Sequence, residues 1–213
     1  MIRRSPAVKD HGMIADADEL RIKVQEAGAA LQEISDYIAM HPEHARLAKV
    51  RFPRGYLRTA ESHRGRLPFI RDRVLKDNVS YALMAHDVLR WISTRTDLSG
   101  QALEMITKEA VCLLGTVCES ISIYPAHHGL GRGAGFSRRI QRLRDLQIID
   151  EAAQHRLNWL WTKRNQEHLI DVLFREWDHY TANDWSESVA AYHALRDGLS
   201  RWHAEGFPRR GLA

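Results

Sequence analysis

Hydrophobic positions recur along this chain at three- and four-residue steps, and nowhere do apolar and polar residues alternate as they would in a strand. The first run is Leu20, Val24, Ala27, Leu31, Ile34 and Ile38, spaced 4, 3, 4, 3, 4, which is an a/d heptad seam. Asp16, Asp18 and Glu19 stand at its start, where the helix dipole favours anions. His41-Pro42 stops it, and Pro42 opens a short helix through Val50. Helix signal returns near Ile70 and is firm from Asn78 to Thr94, with Ala82, Ala85, Val88, Leu89 and Ile92 on one side. Ser99 is placed to cap a helix running to about Tyr124, where Pro125 ends it. The centre of that helix, AVCLLGTVCESISIY, is apolar almost all round and predicts the most buried element. Ser137 caps SRRIQRLRDL, Asp150 caps a helix carrying LNWLWTKRNQEH through Leu169, and NDWSE opens a last helix. In that last helix Val189, Tyr192, Leu195, Leu199 and Trp202 again step by three and four. The expected fold class is all-α, a helical bundle behind an N-terminal heptad-patterned helix.

Domain organisation follows from where the periodicity lapses. Residues 1–50 read as a tail plus the heptad helix, whose seam suits self-association as a dimerisation arm and equally suits packing within the chain. Residues 51–69 hold two prolines, two glycines and little periodicity, so they read as a basic loop or linker. Residues 70–205 form the helical domain. No apolar run approaches the roughly 18 residues needed to span a bilayer, and no apolar stretch follows the basic N-terminus as a secretory signal requires. Cys112 and Cys118 lie six apart in one helix, on different faces, which suits free thiols in a reducing cytoplasm. The expectation is a cytoplasmic protein with no membrane partner.

Charge changes this picture because it is clustered. From Arg51 to Lys76 there are eight Lys/Arg against Glu61 and Asp72, and from Arg132 to Arg144 five arginines and no acid. Clustered arginines among glycines and aromatics suit phosphate, although a solvated basic face gives the same composition. The run GLGRGAG follows a helix and not a strand, and lacks the Lys-Ser/Thr ending of a P-loop, so it reads as a hinge or an RNA-contacting loop. The histidines His41, His44, His127, His128, His179 and His193 show no metal-binding spacing, and neither a metal nor any other cofactor is expected.

Arg164 and His168 are the exceptions to ordinary patterning. With Leu157, Leu160 and Trp161 they share one helical face, which puts a cation and an imidazole inside an apolar stripe. A buried guanidinium needs an anion, and Glu119, the one acid in the apolar run, could supply it. One reading is structural: an Arg164–Glu119 pair locking two helices, with His168 a core histidine. The other is functional: an arginine that holds phosphate beside a histidine that moves protons at the mouth of a groove.

Ile140-Gln-Arg-Leu143, Leu146-Gln-Ile-Ile149-Asp150 and Leu160-Trp161-Thr-Lys-Arg164-Asn165-Gln-Glu-His168-Leu169 together resemble the C-terminal half of HEPN domains, over roughly residues 78–175. The resemblance implies a helical bundle that dimerises so that two Arg/His pairs face one cleft. Active members are metal-independent endoribonucleases, often toxins or antiviral effectors, and some act with an antitoxin or other protein partner. By that likeness His168 would activate a ribose 2′-hydroxyl, Arg164 would neutralise the phosphate, Asn165 would hold polar contacts and Glu119 would orient Arg164. Arg132, Arg138, Arg139 and Arg142 would line the RNA track. The chain departs from the family in having only Asn165, Gln166 and Glu167 between Arg and His, fewer than is usual there. Family members without activity serve as scaffolds or binding modules, so a non-catalytic helical interaction or nucleic-acid-binding protein stands as the alternative.

Overall fold

The computed structural model describes residues 13–53, 55–123, 133–166 and 180–207. Every regular element among them is a helix, so the chain is all-α. It divides into two compact units, Met1–Pro53 and Arg54–Ala213. No helix among the described residues is long and apolar enough to cross a membrane.

The first unit is the heptad helix α1, Ala17–Met40, followed by a 3₁₀ turn, Pro42–Leu47. The Asp16 carboxylate caps α1 by accepting from the Asp18 and Glu19 amides at 2.9 and 2.8 Å. The short helix after Pro42 stops at Leu47, before the expected Val50, as tight i→i+3 turns do within a few residues. No residue of α1 is buried, and Leu20, Val24, Leu31 and Ile34 of its seam are 40–63% exposed.

The second unit is built round α4, Gly100–Ser122, against which α3 (Arg73–Arg95), α5 (Phe136–Asp145), α6 (Glu151–Asn165) and α7 (Ala182–Ala204) all pack. As its all-round apolarity demands, α4 buries the most residues, from Thr107 to Ser122, including the free thiols Cys112 and Cys118. Local signals place the other ends. Asp150 accepts from the Ala153 amide at 2.7 Å to start α6, and Thr181 and Asp184 form a reciprocal capping box at the head of α7. The start of α5 differs from expectation. Phe136 is buried and stacks on Trp161, so the helix begins there and Gly135 takes the cap in place of Ser137.

The division between the units falls inside the basic segment 51–69, read as a loop or linker, but the segment does more than connect. It contains the short helix α2, Ala60–Gly65, and with Ile70 it sends Leu67 and Phe69 fully into the core. The buried face of α3 is not the expected one. Val79, Ser80, Leu83, His86 and Asp87 are inside, while Ala85, Val88 and Leu89 line an open groove with Leu113 and Thr116 of α4. Polar residues occupy the inner face because each finds a partner there, as described below.

Helix α7 comes so close to the α5–α6 turn that a Cβ on Gly198 would overlap the Ile148 carbonyl oxygen and meet Ile149 Cγ2 at 3.0 Å. Alanine normally gains about 1 kcal/mol over glycine inside a helix. Here Gly198→Ala is expected to destabilise the fold by a net of up to about 2 kcal/mol, since overpacking against backbone costs about 1–3 kcal/mol. Urea unfolding of the single variant checks this, and an increase in stability would show that the turn yields freely.

Candidate functional site

At the C-terminal end of α4 three elements converge on Glu119. Arg164 near the end of α6 places Nη2 3.4 Å from Glu119 Oε2, with both side chains about a third exposed. Its guanidinium lies over the Trp161 ring at 5.1 Å, and its Nη1 is 3.4 Å from Asn165 Oδ1. The close approach of α6 to α4 depends on Gly115, where a Cβ would stand 2.8 Å from Arg164 Cβ. From α5, Arg139 donates to the Ser122 hydroxyl at 3.0 Å, the Ala134 carbonyl at 2.6 Å and the Glu119 carbonyl at 3.4 Å. Burial lowers the Arg139 pKa from its ordinary value, and the Glu119 charge acts against that.

The side chains between these two arginines are aromatic. Phe136 and Trp161 stack with centroids 4.9 Å apart, Arg164 over the one end and Arg139 over the other at 5.9 Å from Phe136. Arg164 thus meets the Glu119 carboxylate and Arg139 the Glu119 backbone carbonyl, so among the described residues two guanidiniums gather near one acid beside an aromatic pair. Arg164 Nε is buried and finds no hydrogen-bond partner among the described residues. Such a cluster can accept an oxyanion.

Of the residues expected to act together, Glu119, Arg139, Arg164 and Asn165 therefore meet. Arg138 is exposed and Arg142 half-buried on α5. His168 and Arg132 lie outside the described residues. So does the continuation of α6 through Leu169, since the helix as described closes at Asn165 with Gln166 as its cap.

The His41, Glu43 and His44 ligand atoms lie within 4.8 Å of one another, a grouping not expected from sequence spacing. All three are at the surface, and His44 Nδ1 is taken up by the Tyr37 hydroxyl at 3.0 Å.

A larger cluster was not visible in the sequence. Asp87 on α3 is fully buried and accepts from Arg58 three times: from its amide at 3.3 Å, from Nε at 3.0 Å and from Nη2. It also meets His63 Nε2 of α2 at 3.1 Å. Burial pushes the Asp87 carboxyl upward, but the Arg58 contacts outweigh this and hold it below the usual carboxylate range. Next to it His86 Nε2 accepts from Trp185 Nε1 of α7 at 3.0 Å, so its proton sits on Nδ1. Beyond these, Arg66, Arg90, His193 and Arg196 surround a cavity of about 110 Å³ floored by Leu83 and Leu114. One signal was available: Arg58, His63 and Arg66 interrupt a segment that also supplies Leu67 and Phe69, an alternation of charge and large apolar groups that a plain linker does not need.

Comparison with protein-family models, with curated proteins and with solved structures finds no match.

Proposed function

We propose that this chain is a metal-independent endoribonuclease of the HEPN kind, acting in the cytoplasm as a homodimer in stress or defence. In this reading His168 takes the proton of a ribose 2′-hydroxyl as that oxygen attacks the adjacent phosphorus. The bond to the 5′-oxygen breaks, a 2′,3′-cyclic phosphate remains, and the imidazole returns a proton to the leaving oxygen. Arg164, held by Glu119 and flanked by Asn165, neutralises the charge that grows on the phosphate, while Arg132, Arg138, Arg139 and Arg142 track the backbone. The observation that supports the reading is the convergence of Arg139 and Arg164 on Glu119 beside the Phe136–Trp161 stack. It gathers, at one helix end and four residues before His168 in sequence, the cations that could neutralise a phosphate without a metal.

Incubation of labelled RNA with the protein in EDTA tests it. Cleavage is expected to survive the chelator and to fall about a hundredfold in Arg164→Gln and in His168→Ala, with the circular dichroism unchanged. Wild-type protein that leaves RNA intact, or variants that cleave as well as wild type, would overturn it. Variants that unfold would mark the pair as structural.

A second reading is favoured by α1, a 24-residue helix without a buried residue. A non-catalytic helical interaction protein would use that seam for a partner protein, such as an antitoxin or a second copy, and its basic faces for nucleic acid. In the same experiment it would retain RNA in a salt-dependent manner and release no product.

A further inference from the structure

We propose that the cavity between α2, α3 and α7 is a binding site for phosphate, either as the free anion or as the terminal group of a monoester. Its lining is unusual in kind. Four guanidiniums, those of Arg58, Arg66, Arg90 and Arg196, border a space of about 110 Å³. Among the described residues the acids set against them are Asp87 and, 2.7 Å from Arg196, Asp197, which leaves two positive charges in excess there. A protein that needed only to satisfy Asp87 has done so with Arg58 and His63. Arg90, over the Tyr56 ring at 5.3 Å, and Arg196, paired with Asp197 and over the Tyr192 ring at 5.6 Å, then add charge that Asp87 does not need. Arg90 lies 3.8 Å from Asp87, and its buried Nε finds no hydrogen-bond partner among the described residues. A cavity with an excess of cations round it carries a repulsion that a bound oxyanion relieves.

The imidazoles report the same field. Burial lowers His63, His86 and His193 from their ordinary values, and nearby arginines act in the same direction on each: Arg58 on all three, Arg66 on His63 and His193, Arg90 on His86 and Arg196 on His193. Burial disfavours either sign of charge, and only the arginines' share of these shifts is the field that an anion would feel favourably.

Size and shape select the class. The cavity has room for several waters, as much as a tetrahedral oxyanion occupies, and not for a nucleoside. Donors approach from α2, α3 and α7, which suits the oxygens of a tetrahedral group better than a flat carboxylate. Arg66 and His193 are its exposed lining, so a monoester can insert its phosphate and leave the remainder outside. An internal phosphodiester, flanked on both sides by sugar, fits a partly enclosed space poorly. The site is separate from Glu119 and Arg164 and does not depend on the ribonuclease reading.

Titration calorimetry of the full chain with inorganic phosphate, adenosine 5′-monophosphate, and one RNA oligonucleotide with and without a 5′-phosphate tests the proposal. Saturable binding of phosphate is expected, weakened about tenfold in Arg90→Gln and again in Arg196→Gln. If the 5′-phosphorylated RNA or the monophosphate binds with the same dependence, the source is a terminal phosphate; if inorganic phosphate alone does, it is the free anion. A rise in melting temperature of the wild-type protein in phosphate, compared with chloride at equal ionic strength, provides a check that needs no variant. No saturable binding of any phosphate at millimolar concentration, or binding unchanged in both variants, would overturn the proposal.

Discussion

Asp87→Ala is expected to cost the fold about 3–5 kcal/mol, the largest loss of any single substitution considered. Asp87 is fully buried and joins three pieces of chain: the stretch before α2 through Arg58, α2 itself through His63, and α3 on which it sits. Removing the carboxylate leaves a guanidinium and a buried imidazole facing each other with no acceptor between them, which is dearer than losing the hydrogen bonds alone. Arg58 is about a third exposed and can turn partly to water, so the lower half of that range is expected. Asp87→Asn keeps the shape and removes the charge, and should fall between alanine and wild type. Urea unfolding of the three proteins gives the comparison. A loss below about 1 kcal/mol for alanine would mean that α2 is held by Leu67 and Phe69 and not by the ion pair.

The same carboxylate explains why part of the fold could be read from the sequence and part could not. The helices of the second unit that bury aliphatic faces, α4 and α7, followed from their periodicity, and Asp150 followed from capping chemistry, while α7 starts at Ala182 under a Thr181 cap, ahead of the expected NDWSE start. In α3 the rule that apolar residues go inside pointed to Ala85, Val88 and Leu89, and the inner face turned out to hold Ser80, His86 and Asp87. Periodicity assigns a face by hydrophobicity alone. It cannot know that Arg58 and His63 arrive from 29 and 24 residues away to satisfy Asp87, and Trp185 from 99 to satisfy His86, while Ser80 turns to the Lys76 carbonyl of its own helix. The core contacts of the segment 51–69 were not legible for the complementary reason. Its prolines, glycines and arginines resemble a loop until Asp87 is there to receive Arg58 and His63.

The Glu119–Arg164 pair was legible because it needed only one inference, that a cation on an apolar stripe must find the one acid on the neighbouring apolar helix. The contribution of Arg139 was not, since α5 was read as an RNA-facing helix with its arginines outward. Its first residue Phe136 enters the core against Trp161, and that rotation turns Arg139 towards Ser122 and Glu119. One of the two arginines at the site is thus set by a stacking contact between aromatics far apart in the chain. Gly115 sets the other by letting α6 approach.

Acidification from pH 7 to pH 4 is expected to remove about 3 kcal/mol of stability through His86 alone. Burial pulls the His86 imidazole down to about 4; adjacent Asp87 pushes it up, while Arg90 and Arg58 pull it further down. In the unfolded chain a histidine titrates near 6.5. Above pH 6.5 neither state carries the proton and stability is unaffected. Between about 6.5 and 4 the unfolded chain binds a proton that the folded one refuses, so stability falls by about 1.4 kcal/mol for each pH unit. His63, lowered as well, adds a loss of the same sign. Asp87 acts in a different window: its folded value lies below the ordinary 3.8, so its contribution persists above that pH and is lost only as the pH falls further. His86→Gln can keep an acceptor for Trp185 Nε1 but cannot titrate, and should be less stable at neutral pH with a flatter slope between pH 6.5 and 4. Urea midpoints across that range decide the matter. Parallel curves for wild type and His86→Gln would show that this imidazole is not the group that makes the fold acid-sensitive.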